Sequence, residues 1–173
     1  MKCFLYAYMI FSFFIACNPG TNAETVLVLD DLKKGHFAGV SIGDSAIHVS
    51  GLLEDSIVLE NTNEILFLTQ EVDQRFTKRE IRTAIDRSRI YEISIDFFMK
   101  SDSMTESFFM ECKEMLDLQY GKSDMDEGYA NWRSASVNKK VIEIELFNES
   151  MNSDMPLVSI NFYEDFDKSF YAE

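Results

Sequence analysis

The sequence predicts a single α+β domain: antiparallel sheet(s) with one long and one short helix packed on one face. Strands in the second half of the chain alternate apolar and polar residues, which is typical of antiparallel strands with one wet face. Apolar residues recur at helical spacing in one long and one short segment. The regular strand–helix–strand alternation of a parallel sheet is missing. The order of helix then strands, met twice, also suggests a loose α-β-β-β duplication, although no residue-level repeat accompanies it.

The first third of the domain holds two β-prone runs and a short helix. The runs are Thr25–Leu29 and Phe37–Ile42. Asp44 or Ser45 is placed to cap the helix that follows. Gly51 weakens this interpretation, so a strand is the alternative. The apolar residues of the short helix are Ala46, Ile47, Val49, Leu52 and Leu53.

The middle of the chain predicts a hairpin, a loop and two further strands. Ser56–Glu60 and Ile65–Thr69 flank an Asn-rich turn and form the hairpin. Glu71–Arg79 is polar and is predicted to be a loop. Glu80–Ile85 could open a helix with a capping box, but its alternating residues favour a strand. Arg89–Met99 is the clearest strand, and its inward residues are predicted to be Tyr91, Ile93, Ile95 and Phe97.

The long helix has both a start and a stop signal. Ser103 and Glu106 form a capping box, so Ser103 is the predicted N-cap. Gly121 is well placed to end the helix, and Lys122 suits its negative end. The buried stripe is predicted to be Phe108, Phe109, Cys112, Met115, Leu116 and Tyr120.

Three strands are predicted in the last third of the chain. Tyr129–Ser136 leads through a turn to Val141–Phe147, and Val158–Phe162 is the final strand. Glu143 and Glu145 alternate with apolar residues, so one face of their strand is predicted to be wet.

The first 17 residues predict the location of the protein. Met1–Cys17 has one cation and an apolar run shorter than the roughly 20 residues of a membrane-spanning helix, as in export signals. The end of the run, Phe14–Cys17, resembles the lipobox of bacterial lipoprotein signal peptides, although Phe14 departs from the usual aliphatic residue. The resemblance implies a signal peptide over 1–17, a lipid on Cys17 and attachment to a membrane of the bacterial cell envelope. Ordinary export with cleavage after Ala23 is the alternative.

Residues 18–24 are then a polar tether, and residues 25–173 form the single domain. Two segments of this domain resemble small, uncharacterised envelope lipoproteins. Gly39–Glu54 is similar to their opening segment, and Cys112–Lys122 with Trp132 is similar to their helix and hairpin ending. This resemblance implies a fold type and a compartment, and it carries no catalytic residues.

Composition excludes some classes of partner. Apolar residues make up 46% of the chain, which is typical of a globular domain, and the net charge is -14. Such a surface repels phosphate backbones, so nucleic acid is not a predicted partner. Of the three cysteines, Cys3 leaves with the signal and Cys17 is modified, which leaves Cys112 without a disulfide partner.

The residues indicate no catalytic, metal or cofactor site. His36 and His48 are the only imidazoles and lack metal-ligand spacing, and Asp124–Gly128 lacks the spacing of a calcium loop. The leading hypothesis is a lipid-anchored envelope protein that is not an enzyme and acts as a protein-interaction or structural module, with another envelope protein as partner.

The alternative is a glycan- or peptide-binding lipoprotein, in which Tyr120, Tyr129 and Trp132 form an aromatic platform. The other interpretation of Trp132 is that it caps the core beneath the long helix. An enzyme with an unrecognised acidic site is a third hypothesis, and converging carboxylates in a pocket would favour it.

Overall fold

An antiparallel sheet of eight strands is the main feature of this protein. A computed structural model describes residues 29–47, 49, 57–70, 75–135, 140–150 and 155–165, apart from the side chains of residues 58, 67–70 and 135. The strands are β1 (Ile57–Glu60), β2 (Glu64–Gln70), β3 (Phe76–Asp86), β4 (Arg89–Met99), β5 (Asp124–Asp126), β6 (Tyr129–Ala135), β7 (Val141–Asn148) and β8 (Leu157–Glu164).

The sheet is built from two groups of four consecutive strands. Its strand order is β1-β2-β3-β4-β8-β7-β6-β5, so the two groups meet where β4 lies beside β8. These strands pair in antiparallel register, with Ile95 opposite Ile160 and Ile93 opposite Phe162. Because β8 is far from β4 in sequence, this pairing makes one sheet from the two halves of the chain.

The predicted α+β class is wrong, because one large sheet organises the described residues and the protein is predominantly β. Residues 76–79, which were expected in a loop, begin the 11-residue strand β3. Asp124–Asp126, for which no strand was predicted, forms β5. The predicted α-β-β-β duplication is wrong as well, since each half of the sheet contributes four strands and not three.

Strand β3 begins four residues before the predicted strand Glu80–Ile85. A register shift between Phe76 and Lys78 interrupts the alternation of apolar and polar residues at its start. Arg79 is buried, with its Nη1 3.8 Å from Asp31 Oδ2 and its guanidinium over the ring of Phe37. Burial lowers the pKa of Arg79, and the charge of Asp31 opposes that shift. A buried arginine beside a bulge has the sequence pattern of a loop, because periodicity identifies strands by their apolar residues.

Several other elements agree with the sequence. β4 spans Arg89–Met99 as predicted. The β1–β2 hairpin turns at Asn61, whose side-chain oxygen accepts hydrogen bonds from two backbone N–H groups of the turn at 2.8 and 3.0 Å. Arg87 and Ser88 have φ angles of 49° and 63°, as a two-residue turn between β3 and β4 requires.

The long helix α1 (Asp102–Tyr120) begins at a different cap from the predicted one. Its N-cap is Ser101, whose hydroxyl accepts a hydrogen bond from a backbone N–H of the first turn at 3.4 Å. Ser103 lies inside that first turn, so it cannot serve as the cap. The predicted end of the helix is confirmed, because Gly121 follows the last turn with a φ of 92°.

One side of α1 packs against the inner face of the sheet. The ring of Phe108 lies 4.9 Å from that of Phe97 on β4 and 5.1 Å from that of Phe76 on β3, between ring centroids. Cys112 is a free cysteine in this core, and burial raises the pKa of its thiol. The buried residues of the helix are Thr105, Phe108, Phe109, Cys112, Met115 and Leu116, so most of the predicted stripe is confirmed.

The prediction of a strand over Phe37–Ile42 is wrong, because turns take its place. These residues contain one isolated bridge, between Phe37 and Val40. Gly35 has a φ of 67°, and a Cβ at this position would lie 2.7 Å from the Val40 carbonyl oxygen. A tight turn that only glycine fits therefore prevents the chain from extending here.

His36 holds this turn segment against the inner face of the sheet. Its Nδ1 accepts a hydrogen bond from the Ile42 backbone N–H at 3.0 Å, and its ring lies 5.4 Å from that of Phe162, between centroids. Burial lowers the pKa of His36, and the charge of Asp44 opposes that shift. A half-buried imidazole that accepts at Nδ1 and packs on an aromatic ring is a neutral, structural group.

The first elements of the domain are described in part. Leu29 is the one described residue of the predicted strand Thr25–Leu29, and it is helical together with residues 30–32. The strand prediction is therefore wrong at Leu29. Residues 46, 47 and 49 are helical, whereas His48 lies outside the described residues.

Candidate functional site

The side of the sheet opposite α1 is the candidate functional site. The helix and residues 29–45 pack on the inner side, and no other described element covers the opposite side. We call this opposite side the open face. It is formed by the outward side chains of β3 to β8, which alternate with buried ones along each strand.

Side chains from three central strands form rows across the open face. Tyr163 of β8 lies between Glu92 of β4 and Glu143 of β7, because it is the register partner of both. Asn161 lies between Ser94 and Glu145 in the same way. Residues that pair directly across antiparallel strands have neighbouring side chains, so the rows bring acidic and aromatic groups into contact.

A bulge in β4 adds Tyr91 to this surface. The register passes from Ala84 opposite Glu92 to Ile85 opposite Ile90, which leaves Tyr91 as the extra residue. Tyr91 was predicted to point into the core with Ile93, and the bulge explains why that prediction is wrong. A depression of about 350 Å³ lies beside it, lined by Tyr91, Glu92, Glu145, Asn161, Tyr163 and Glu164.

Hydrogen bonds fix two tyrosines on the open face. The Tyr163 hydroxyl donates to Glu143 Oε2 at 2.9 Å, and the Tyr129 hydroxyl donates to Glu145 Oε1 at 3.0 Å. The pKa of Tyr163 is raised by burial, by its hydrogen bond to Glu143 and by the nearby charge of Glu145. Burial raises the pKa of Tyr129, while the hydrogen bond from Asn131 opposes the shift and Glu145 adds to it. Both phenols therefore remain neutral donors.

The depression carries uncompensated negative charge. Arg133 pairs with Glu143 (Nε to Oε1, 2.7 Å), and Lys140 pairs with Glu164 (Nζ to Oε2, 2.5 Å). Glu92 and Glu145 accept hydrogen bonds from hydroxyl groups, and no ion pair joins either one to a cation among the described residues. These two carboxylates are therefore suited to accept hydrogen bonds from cationic groups of a ligand.

The aromatic residues that the sequence analysis selected do not share one surface. Trp132 is buried on the inner side, where its Nε1 donates to Asp117 Oδ1 and to the Gly121 carbonyl oxygen, both at 3.0 Å. Tyr120 is half-buried at the end of α1, and burial raises its pKa to about 12. Tyr129 lies on the open face, because it has the opposite parity to Trp132 on β6.

Sequence reasoning missed Tyr163, Tyr91, Glu92 and Asn161 as members of a site. One signal was available, since the wet face of Val141–Asn148 was predicted from Glu143 and Glu145. The contact of Tyr163 with these glutamates required the register between β7 and β8, and periodicity within a single strand carries no such information.

The described residues contain no group of three or more acidic, histidine or cysteine side chains that could hold a metal ion. Asp124 and Asp126 lie on the open side of β5, and Asp126 Oδ1 accepts a hydrogen bond from the Glu127 backbone N–H at 2.8 Å. Cys17, the predicted signal peptide 1–17 and the predicted tether 18–24 lie outside the described residues. In the part of the chain that the structure describes, no helix is both long and apolar enough to cross a membrane.

No protein-family model, curated protein or solved structure matches this chain. The roles of its residues are therefore argued from the geometry of the open face and from the sequence. The open face offers hydrogen-bond acceptors, phenolic donors and aromatic rings on a rigid sheet, which is a combination suited to binding.

Proposed function

We propose that the protein is a lipid-anchored protein of the bacterial cell envelope that binds another envelope protein through its open face and catalyses no reaction. The single observation that carries the binding proposal is the centre of the sheet, which no described element covers and where β4, β8 and β7 present tyrosines and carboxylates. The lipobox-like segment Phe14–Cys17 supports the anchor.

The shape and composition of the open face favour a protein partner over a small ligand. Sites for small molecules are usually deep and mostly apolar, whereas the depression at Tyr163 is shallow and rich in polar groups. Tyrosine is enriched at protein interfaces, because its ring supplies contact area and its hydroxyl supplies a hydrogen bond. For a glycan or peptide ligand, the open face with Tyr129 and Tyr163 is the surface available, since Trp132 is buried on the other side.

The enzyme hypothesis is favoured by one feature of the same depression. Glu92 and Glu145 line it together, which is the convergence of carboxylates that an acidic active site requires. Both groups are also what a binding surface for cations needs. Turnover of a cell-wall glycan that disappears in Glu145→Gln would establish the enzyme in place of the binding module.

Site-specific crosslinking tests the binding proposal. Phe147 lies on the open face with its ring 4.9 Å from that of Tyr129, between centroids, so a photoreactive phenylalanine replaces it conservatively. The matched control carries the same residue at Leu118, which is 90% exposed on α1. We expect one crosslinked protein species from position 147 and its loss when Glu145→Arg is added. The same products from both positions, or none from position 147, would contradict the proposal.

The lipid anchor makes a separate prediction. Cells given a clickable fatty acid are expected to label the wild-type protein and to leave Cys17→Ala unlabelled, because the cysteine sulfur carries the lipid in lipoproteins of this kind. The variant should also leave the membrane fraction. Cys112→Ala is the matched control and should keep its label. Equal labelling of Cys17→Ala and wild type would end the anchor proposal.

A further inference from the structure

We propose that the partner places a lysine or arginine side chain in the depression between Tyr91 and Tyr163, so that the open face recognises a basic segment. This inference rests on the proposed function and specifies the chemistry of its partner. It follows from the charge, the walls and the size of the depression.

The charge of the depression calls for a cation. Glu92 accepts from Ser94 Oγ at 3.1 Å and Glu145 accepts from Tyr129 at 3.0 Å, so both carboxylates keep further acceptor capacity. Two nearby cations are used by other carboxylates, since Arg133 pairs with Glu143 and Lys140 pairs with Glu164. An ammonium or guanidinium group from a partner would supply the missing charge and a hydrogen bond that is stronger than a neutral one.

The walls of the depression suit the rest of such a side chain. Tyr91 and Tyr163 line it with aromatic rings, and the stem of a lysine or arginine packs on apolar surface while its charged end stays polar. A cation close to a tyrosine ring is also attracted by the ring electrons. The bulge that turns Tyr91 outward is therefore part of the site, because a regular strand would point this ring into the core.

The size and surroundings of the depression indicate that it holds a single side chain of a larger partner. About 350 Å³ corresponds to about a dozen water molecules, and the depression opens onto the wider sheet face. A second depression shares Tyr91 and is lined by Arg87, Arg89 and Lys140. The basic residue of the partner is therefore expected on the side of Glu92 and Glu145, away from these cations.

Titration of the full-length protein with defined peptides tests the inference. The probe is a ten-residue peptide of alternating lysine and threonine, and its counterpart replaces each lysine by glutamine. Calorimetry is expected to show binding of the lysine peptide alone, at least tenfold weaker in the double variant Glu92→Gln/Glu145→Gln. The control Asp102→Asn/Glu114→Gln removes two exposed carboxylates of α1. It changes the net charge by the same amount as Glu92→Gln/Glu145→Gln, and it should bind the lysine peptide like wild type.

Each outcome decides between explanations. If both double variants bound the lysine peptide equally weakly, net charge alone would attract the peptide, and the inference would be overturned. Failure of the lysine peptide to bind wild type would overturn it too. In that case crosslinking from position 147 would still support the open face as a protein-binding surface, so the two proposals fail separately.

Discussion

Replacing Phe108 by alanine is expected to lower the free energy of unfolding by about 3–5 kcal/mol, as deletion of a buried aromatic side chain does. Phe108 is fully buried and lies at the meeting point of α1 and the sheet. Its ring packs against Phe97 and Phe76 with centroid distances of 4.9 and 5.1 Å, and those two rings are 5.4 Å apart. The substitution removes these contacts and leaves a cavity that the rigid sheet cannot close.

Urea denaturation monitored by circular dichroism measures this loss. Leu118→Ala is the matched control on the same helix, because Leu118 is 90% exposed and its truncation should change stability by less than about 0.5 kcal/mol. If Phe108→Ala were as stable as Leu118→Ala, α1 would not be packed on the sheet as described.

Removal of the Asp117 carboxylate is expected to destabilise the protein by about 1–3 kcal/mol, since it leaves the backbone N–H of the buried Ser123 without this acceptor. Asp117 Oδ1 accepts from the Ser123 backbone N–H at 2.9 Å and from Trp132 Nε1 at 3.0 Å, and Oδ2 accepts from Lys113 Nζ at 2.6 Å. These bonds join the last turn of α1 to β6 and to the segment that leads into β5. Asp117→Ala breaks all three at once.

The stability lost on removal of the Asp117 carboxylate is expected to depend on pH. Burial acts to raise the pKa of Asp117, but the hydrogen bonds from Lys113, Ser123 and Trp132 outweigh it and lower the pKa. A lowered pKa means that the stabilisation is complete above the unfolded value, about 3.9, and is lost as pH falls through the folded value. The difference in unfolding free energy between wild type and Asp117→Ala should therefore be constant near neutral pH and shrink below about pH 4.

Fluorescence of Trp132, the one tryptophan of the chain, reports on this contact directly. Glu114→Ala is the control, because Glu114 is an exposed carboxylate on the same helix. An unfolding free energy of Asp117→Ala that matched that of Glu114→Ala would show that the carboxylate does not hold the end of α1.

Local signals in the sequence predicted individual elements well. Alternation in Arg89–Met99 gave the bounds of β4, and Gly121 marked the end of α1. These predictions succeeded because short-range sterics and burial of one face decide them. The long-range pairing of β4 with β8 could not be predicted, since any two strands with one apolar face are compatible neighbours. The fold class was therefore wrong although most strands were found.

Prediction of the candidate site from the sequence also required the long-range pairing of strands. Tyr129 and Trp132 were grouped as aromatic residues of one binding platform, yet strand parity places them on opposite sides of β6. Parity alone would have separated them. The position of Tyr91 could not have been found in this way, because the bulge that displaces it is set by pairing with β3 and leaves no pattern in β4 itself.

The place of β8 in the sheet has a consequence for the order of folding. It is the last described strand in the chain, and it fills the gap between the two halves of the sheet. Until the ribosome has finished it, the nascent chain holds two half-sheets with exposed edges at β4 and β7, and such edges attract other strands. Because β8 supplies Tyr163 and Asn161, the central rows of the open face cannot form until this strand has paired with both β4 and β7.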